Sequence, residues 1–118
     1  MNPFKNPDYI RTKNQFMQKL DVMSRRHMNC LRFGENETED HIKTKLNVIL
    51  MAMQNEGCEF LTEVYSSDRK FRADILIFKP FSNGCFAQII EVALHETQLS
   101  IDKKREFWTK HGFYFLVI

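Results

Sequence analysis

Two eight-residue runs, FRADILIF at 71–78 and AQIIEVAL at 87–94, are apolar almost throughout, yet each carries one carboxylate, Asp74 and Glu91. Upstream of them, Ile42, Leu46, Ile49, Leu50 and Met53 recur at helical spacing. That spacing predicts a helix that lays this stripe on a core, opened by a capping pair of Asn36 and Glu39 and closed at Asn55-Glu56-Gly57. From residue 58 the period falls to 2. CEFLTEVY (58–65), FRADILIF and CFAQIIEVAL (85–94) read as strands, separated by the polar turns SSDRK and KPFSNG. Turns this short predict an antiparallel meander. Residues 97–111 return to helix, with Leu99, Ile101, Phe107 and Trp108 as packing residues and His111-Gly112 at the end. The last run, FYFLVI (113–118), follows that helix and should therefore lie parallel to the third strand. Ahead of all this, residues 7–28 read as one helix with a loose stripe of Ile10, Phe16, Leu20 and Met23.

At 118 residues the chain makes one small domain, whose thin core would sit well in a homodimer. Its composition, 43% hydrophobic and 27% charged, excludes a disordered or collagen-like chain. No apolar run approaches the ~20 residues of a membrane span, and MNPFKNPDYIRTK lacks the apolar stretch of a secretory leader. Cys30, Cys58 and Cys85 are odd in number and widely spaced, which argues for reduced thiols and a cytoplasmic location. The four histidines do not combine with them at zinc spacing, and no glycine-rich phosphate loop is present. The net charge of +2 conceals a division: residues 1–33 carry seven basic and two acidic side chains, net +5, and the remainder nets −3. Residues 1–35 thus read as a basic helical arm and linker, and 36–118 as the core. Lys13, Lys19, Arg25 and Arg26 in the arm, with Lys103 and Lys104 in the last helix, are the candidate nucleic-acid contacts. A helix that only packs on the sheet or on a partner subunit is the other reading of 7–28.

Strand residues two apart share a face, which groups Glu59, Leu61, Glu63 and Tyr65, then Arg72, Asp74 and Leu76, then Ile89, Glu91 and Ala93. A lone ionised carboxylate in an apolar strand is costly to bury without a partner. Three partners stay open. Asp74 and Glu91 could be salt-bridged, to Arg72 or to a helix lysine. They could be protonated or hydrogen-bonded acids with no further role. Or, with Glu63, they could share a divalent cation that prefers oxygen, Mg2+ or Mn2+.

The order of elements and acids resembles the PD-(D/E)xK nuclease superfamily, over residues 36–118. RADIL supplies Asp74, IIEVA supplies Glu91, GCEFLTEV supplies Glu63, and TEDHIKTK supplies Thr38, His41 and Lys45 at the spacing of the first helix in some branches. The resemblance implies an α/β, restriction-endonuclease-like core: helix, three-strand antiparallel meander, helix and parallel strand in one mixed sheet, here with an extra N-terminal basic helix. It implies a metal-dependent nuclease acting on DNA, with Asp74, Glu91 and Glu63 holding Mg2+ or Mn2+ and Lys45 and His41 assisting. The sequence departs from the pattern at Ala93, where a lysine is expected two residues after Glu91. Either that lysine comes from elsewhere (Lys45, Lys103 or Lys104, with His95 or Gln98 as substitutes), or the domain binds nucleic acid or protein without cutting.

Overall fold

The computed structural model describes residues 2–54 and 57–118. A 3-10 turn at Pro3–Lys5 leads into helices α1 (Pro7–Met17), α2 (Val22–Arg25) and α3 (Glu39–Met53). Strands β1 (Glu59–Tyr65), β2 (Arg72–Phe81) and β3 (Gly84–Glu91) follow, then α4 (Gln98–Lys110) and β4 (Tyr114–Val117). The architecture is α/β, with a four-stranded mixed sheet in the order β1-β2-β3-β4. The first three strands are antiparallel and β4 runs parallel to β3, as the sequence pattern predicts. Among the described residues, no helix is long and apolar enough to cross a membrane.

One cluster of buried residues joins the sheet to α1 and α4 through Tyr9, Leu20, Leu61, Leu76, Ile89, Trp108 and Phe113. A smaller one joins it to α3 through Ile49, Phe60, Ile75, Ile77 and Ile90. The basic segment thus contributes Tyr9 and Leu20, both fully buried, to the main core.

Four sequence expectations need correction. The helix read over 7–28 is two helices. Between them Leu20 forms a β-bridge to Ser66, and the Asp21 N–H donates to the Tyr65 carbonyl. Asp21 then caps α2 through the Ser24 N–H. Pairing with the end of β1 outweighs continuation of the helix. The cap of α3 is Thr38, accepting from the His41 N–H, and not Asn36. The expected stop at Asn55-Glu56 lies outside the described residues. The turn after β2 is shorter than expected, because the strand runs to Phe81, paired with Gly84. Pro80 is tolerated because β1 pairs no further than Phe78, so β2 is an edge there. Finally, α3 does not lay its greasiest stripe on the sheet. Leu46, Leu50 and Met53 are 37%, 50% and 49% exposed, whereas Lys45 and Ile49 are buried. What turns the helix is the charge arrangement described below.

The core role of α1 is testable. Tyr9→Ala should cost about 3–5 kcal/mol in urea unfolding, as for other buried aromatics. A detached arm would give a change within about 0.5 kcal/mol, as for exposed positions.

Candidate functional site

The end of β1, the start of β2 and the end of β3 meet at one rim of the sheet. There the ladders stop and side chains take over their hydrogen bonds. The β2–β3 ladder ends at Ile75 opposite Ile90. One step on, the Asp74 N–H donates to Glu91 Oε1 at 3.2 Å, and the Val92 N–H donates to Asp74 Oδ2 at 2.8 Å. Both carboxylates are buried. The β1–β2 ladder skips the Glu63–Asp74 position. Glu63 there adopts φ 53°, the left-handed region that costs a residue with a Cβ on the order of 1–3 kcal/mol. The kink breaks strict alternation, so Leu61 and Val64, three apart, join the same cluster. Two cations hold Glu63 in place: Lys45 Nζ at 2.9 Å and Arg72 Nη1 at 3.2 Å.

Lys45 is fully buried. Its ammonium donates to the Arg32 carbonyl at 2.8 Å, to Glu63 at 2.9 Å and to Glu37 Oε1 at 3.3 Å. Glu37 also accepts from the Gly34 N–H at 2.7 Å and lies 2.6 Å from His41 Nδ1. Burial alone would raise Glu37, but the Gly34 N–H, His41 and Lys45 outweigh it and hold the carboxyl down at about 2. His41 Nε2, the other ring nitrogen, lies 3.4 Å from Asp74 Oδ2. His41, Lys45 and Ile49 stand four apart, so one face of α3 carries all three to the sheet.

On the other side of the carboxylate pair stands α4. Ile101 and Trp108 bury its inner face, and Lys104 shares that face. Lys104 Nζ lies 3.3 Å from Glu91 Oε2 and 2.7 Å from Glu96 Oε2. Burial and the Asp74 charge push Glu91 up to about 8, against the pull of Lys104. Burial would lower Lys104, but Glu91 and Glu96 outweigh it and raise its pKa. The two shifts are compatible, because the closer Glu96 keeps the ammonium charged when Glu91 holds a proton.

A cleft of about 450 Å³ adjoins the pair; Glu37, His41, Arg72, Val92, His95 and Glu96 line it. The structure thus brings Asp74 and Glu91 together with His41 and Lys104, whereas Lys45 sits with Glu37 and Glu63. It turns Glu63 onto Lys45 and Arg72, and Arg72 pairs with Glu63 where an Asp74 partner was considered. Among the described residues, no group of three or more His, Cys, Asp or Glu is placed to hold a metal ion. Asp74 and Glu91 are the adjacent carboxylates at this rim that could offer oxygen to a cation. The strand ends at Glu91, so exposed His95 reaches the cleft from a loop.

The arm residues lie elsewhere. Lys13 pairs with Glu59 at 2.9 Å, near the opposite end of the sheet. Lys19 donates to the His111 carbonyl, Arg25 donates to the Leu20 carbonyl, and Arg26 is exposed. Sequence reasoning missed Glu37 and Glu96 as members of the site. Glu37 carried a signal, four residues before His41 and eight before Lys45. Glu96 carried none, since only the loop after β3 places it.

Two outcomes check this geometry. Lys45→Met keeps volume and removes the buried charge that Glu37 and Glu63 share; it should destabilise the protein by about 3–5 kcal/mol in urea unfolding. The second concerns pH. A Glu titrates near 4.3 when unfolded, and Glu91 titrates near 8 when folded. Between these values the native state binds a proton that the unfolded state lacks, so stability should fall as pH rises through this window, by at most ~1.4 kcal/mol per pH unit. Glu91→Gln in EDTA should flatten that fall between pH 5.5 and 8.5.

No family model matches this chain, and no curated protein or solved structure matches it.

Proposed function

We propose that the protein is a metal-dependent nuclease that hydrolyses phosphodiester bonds in DNA, with a restriction-endonuclease-like core. The observation that carries this reading is the placement of Lys104. Its ammonium lies 3.3 Å from Glu91, so α4 provides the charge that Ala93 cannot. Asp74 and Glu91 would hold a hard divalent cation, Mg2+ or Mn2+, which supplies charge neutralisation and an activated water. Lys104 would stabilise negative charge developing on the phosphate. His41, steadied at Nδ1 by Glu37, would hold or pass a proton at Nε2. Arg72 and His95, which line the cleft, would orient phosphate oxygens.

A second reading has an observation of its own. Asp74 and Glu91 already accept backbone N–H groups, and Glu63 is committed to Lys45 and Arg72. A site so internally satisfied suits a nuclease-like domain that binds nucleic acid or a protein partner without cutting.

One assay separates them. Linear, circular, single-stranded and junction DNA are incubated with the protein in Mg2+, Mn2+ or EDTA. The nuclease reading expects cutting that EDTA abolishes, that Asp74→Ala removes and that Lys104→Ala lowers by about 10²–10³-fold, the size of one lost transition-state contact. Binding without cutting in either metal selects the second reading.

A further inference from the structure

A second cleft, of about 330 Å³, opens on the far side of Arg72 between the start of β2 and α4. Four cationic side chains line it, Lys70, Arg72, Lys103 and Lys104, and no carboxylate is among its lining residues. Two of the four are engaged at the first site: Arg72 with Glu63, and Lys104 with Glu91 and Glu96. Lys70 and Lys103 are exposed and form no ion pair among the described residues. Arg72 lines both clefts, so the two share a wall. Phe71, stacked on Phe107 at 4.3 Å, and Leu99, 66% exposed, give the second cleft an apolar side as well.

We propose that this cleft holds a second backbone phosphate of the same nucleic-acid strand, neighbouring the one at the Asp74–Glu91 pair. The inference rests on the nuclease reading and deepens it, since it assigns a second point at which the strand is held beside the reacting phosphodiester. A free anion needs only the cations. A strand also uses the rest of the lining: Arg72, which faces both clefts, and apolar surface at Phe71 and Leu99 for sugar and base. A charged groove that tracks the backbone, interleaved with aromatic or apolar contacts, is the usual design for holding a single strand. Unpaired lysines at the free end and shared cations at the reacting end suit two successive phosphates.

The test measures binding of a labelled single-stranded oligonucleotide in EDTA, over a range of salt, by fluorescence anisotropy. Lys70→Ala/Lys103→Ala is compared with the wild type and with Lys5→Ala, an exposed lysine in the turn before α1. The double variant should bind more weakly and lose about 1–2 from the slope of log K against log salt, with Lys5→Ala unchanged. Wild-type binding with the same slope in the double variant overturns the second site and leaves the nuclease reading standing. Absence of binding to any nucleic acid overturns both. Inorganic phosphate provides the remaining arm. If it binds the wild type and not the double variant, while the oligonucleotide slope is the same in both, the cleft is a free-anion site and the proposal fails.

Discussion

Lys45 carries an ammonium group with no exposed side-chain surface. Taking such a charge out of water costs several kcal/mol, and only close, well-formed partners offset it. It has three, the Glu37 and Glu63 carboxylates and the Arg32 carbonyl. Arg32 and Glu37 lie in the stretch before α3 and Glu63 lies in β1, so one buried charge on α3 fixes three segments at once. It ties residues 32–37 to the helix, and the helix to β1. It also offsets the left-handed backbone at Glu63, whose carboxylate would otherwise have no reason to turn back under α3. The exposed Leu46, Leu50 and Met53 follow from the same constraint. The helix cannot rotate its apolar stripe onto the sheet without withdrawing Lys45 from its acids.

The carboxylate pair depends on a related feature, the early end of the ladder. Once β2 and β3 part after Ile75 and Ile90, two backbone N–H groups need acceptors, and Asp74 and Glu91 provide them across the gap. Those hydrogen bonds fix the side chains side by side, which is also what makes Glu91 hard to ionise. Structural need and chemical potential thus coincide: the interactions that finish the sheet create a crowded acidic site bordered by His41 on one side and Lys104 on the other.

Most of the architecture was legible in the sequence, because periodicity changes at residue 58 and again after 94 with polar turns between. Asp74 and Glu91 were legible for the same reason: a carboxylate stands out in an apolar strand. What failed to read were features decided by distant partners. The break at 18–21 depends on pairing with Tyr65 and Ser66, some 45 residues away. The face that α3 buries depends on carboxylates from outside the helix, so hydrophobic counting chose the wrong stripe. Glu63 was placed by strict alternation, which its positive φ breaks.

Position 93 and α4 differ in how firmly each could hold a charge beside Glu91. The Ala93 N–H donates to the Ile118 carbonyl, and the Ile118 N–H donates to the Glu91 carbonyl, so the chain after β3 is bound along the edge of β4. On α4, by contrast, Ile101, Lys104 and Trp108 share one face, and two apolar anchors set the position of the ammonium between them. The helix is fixed at both ends. Thr97 caps its start, and Gly112, at φ 90°, lets the Phe113 N–H turn back to the Trp108 carbonyl. A lysine delivered this way is held by core packing rather than by strand register. It reaches Glu91 at 3.3 Å from outside the strand. The charge beside the carboxylates is then a property of how α4 docks on the sheet.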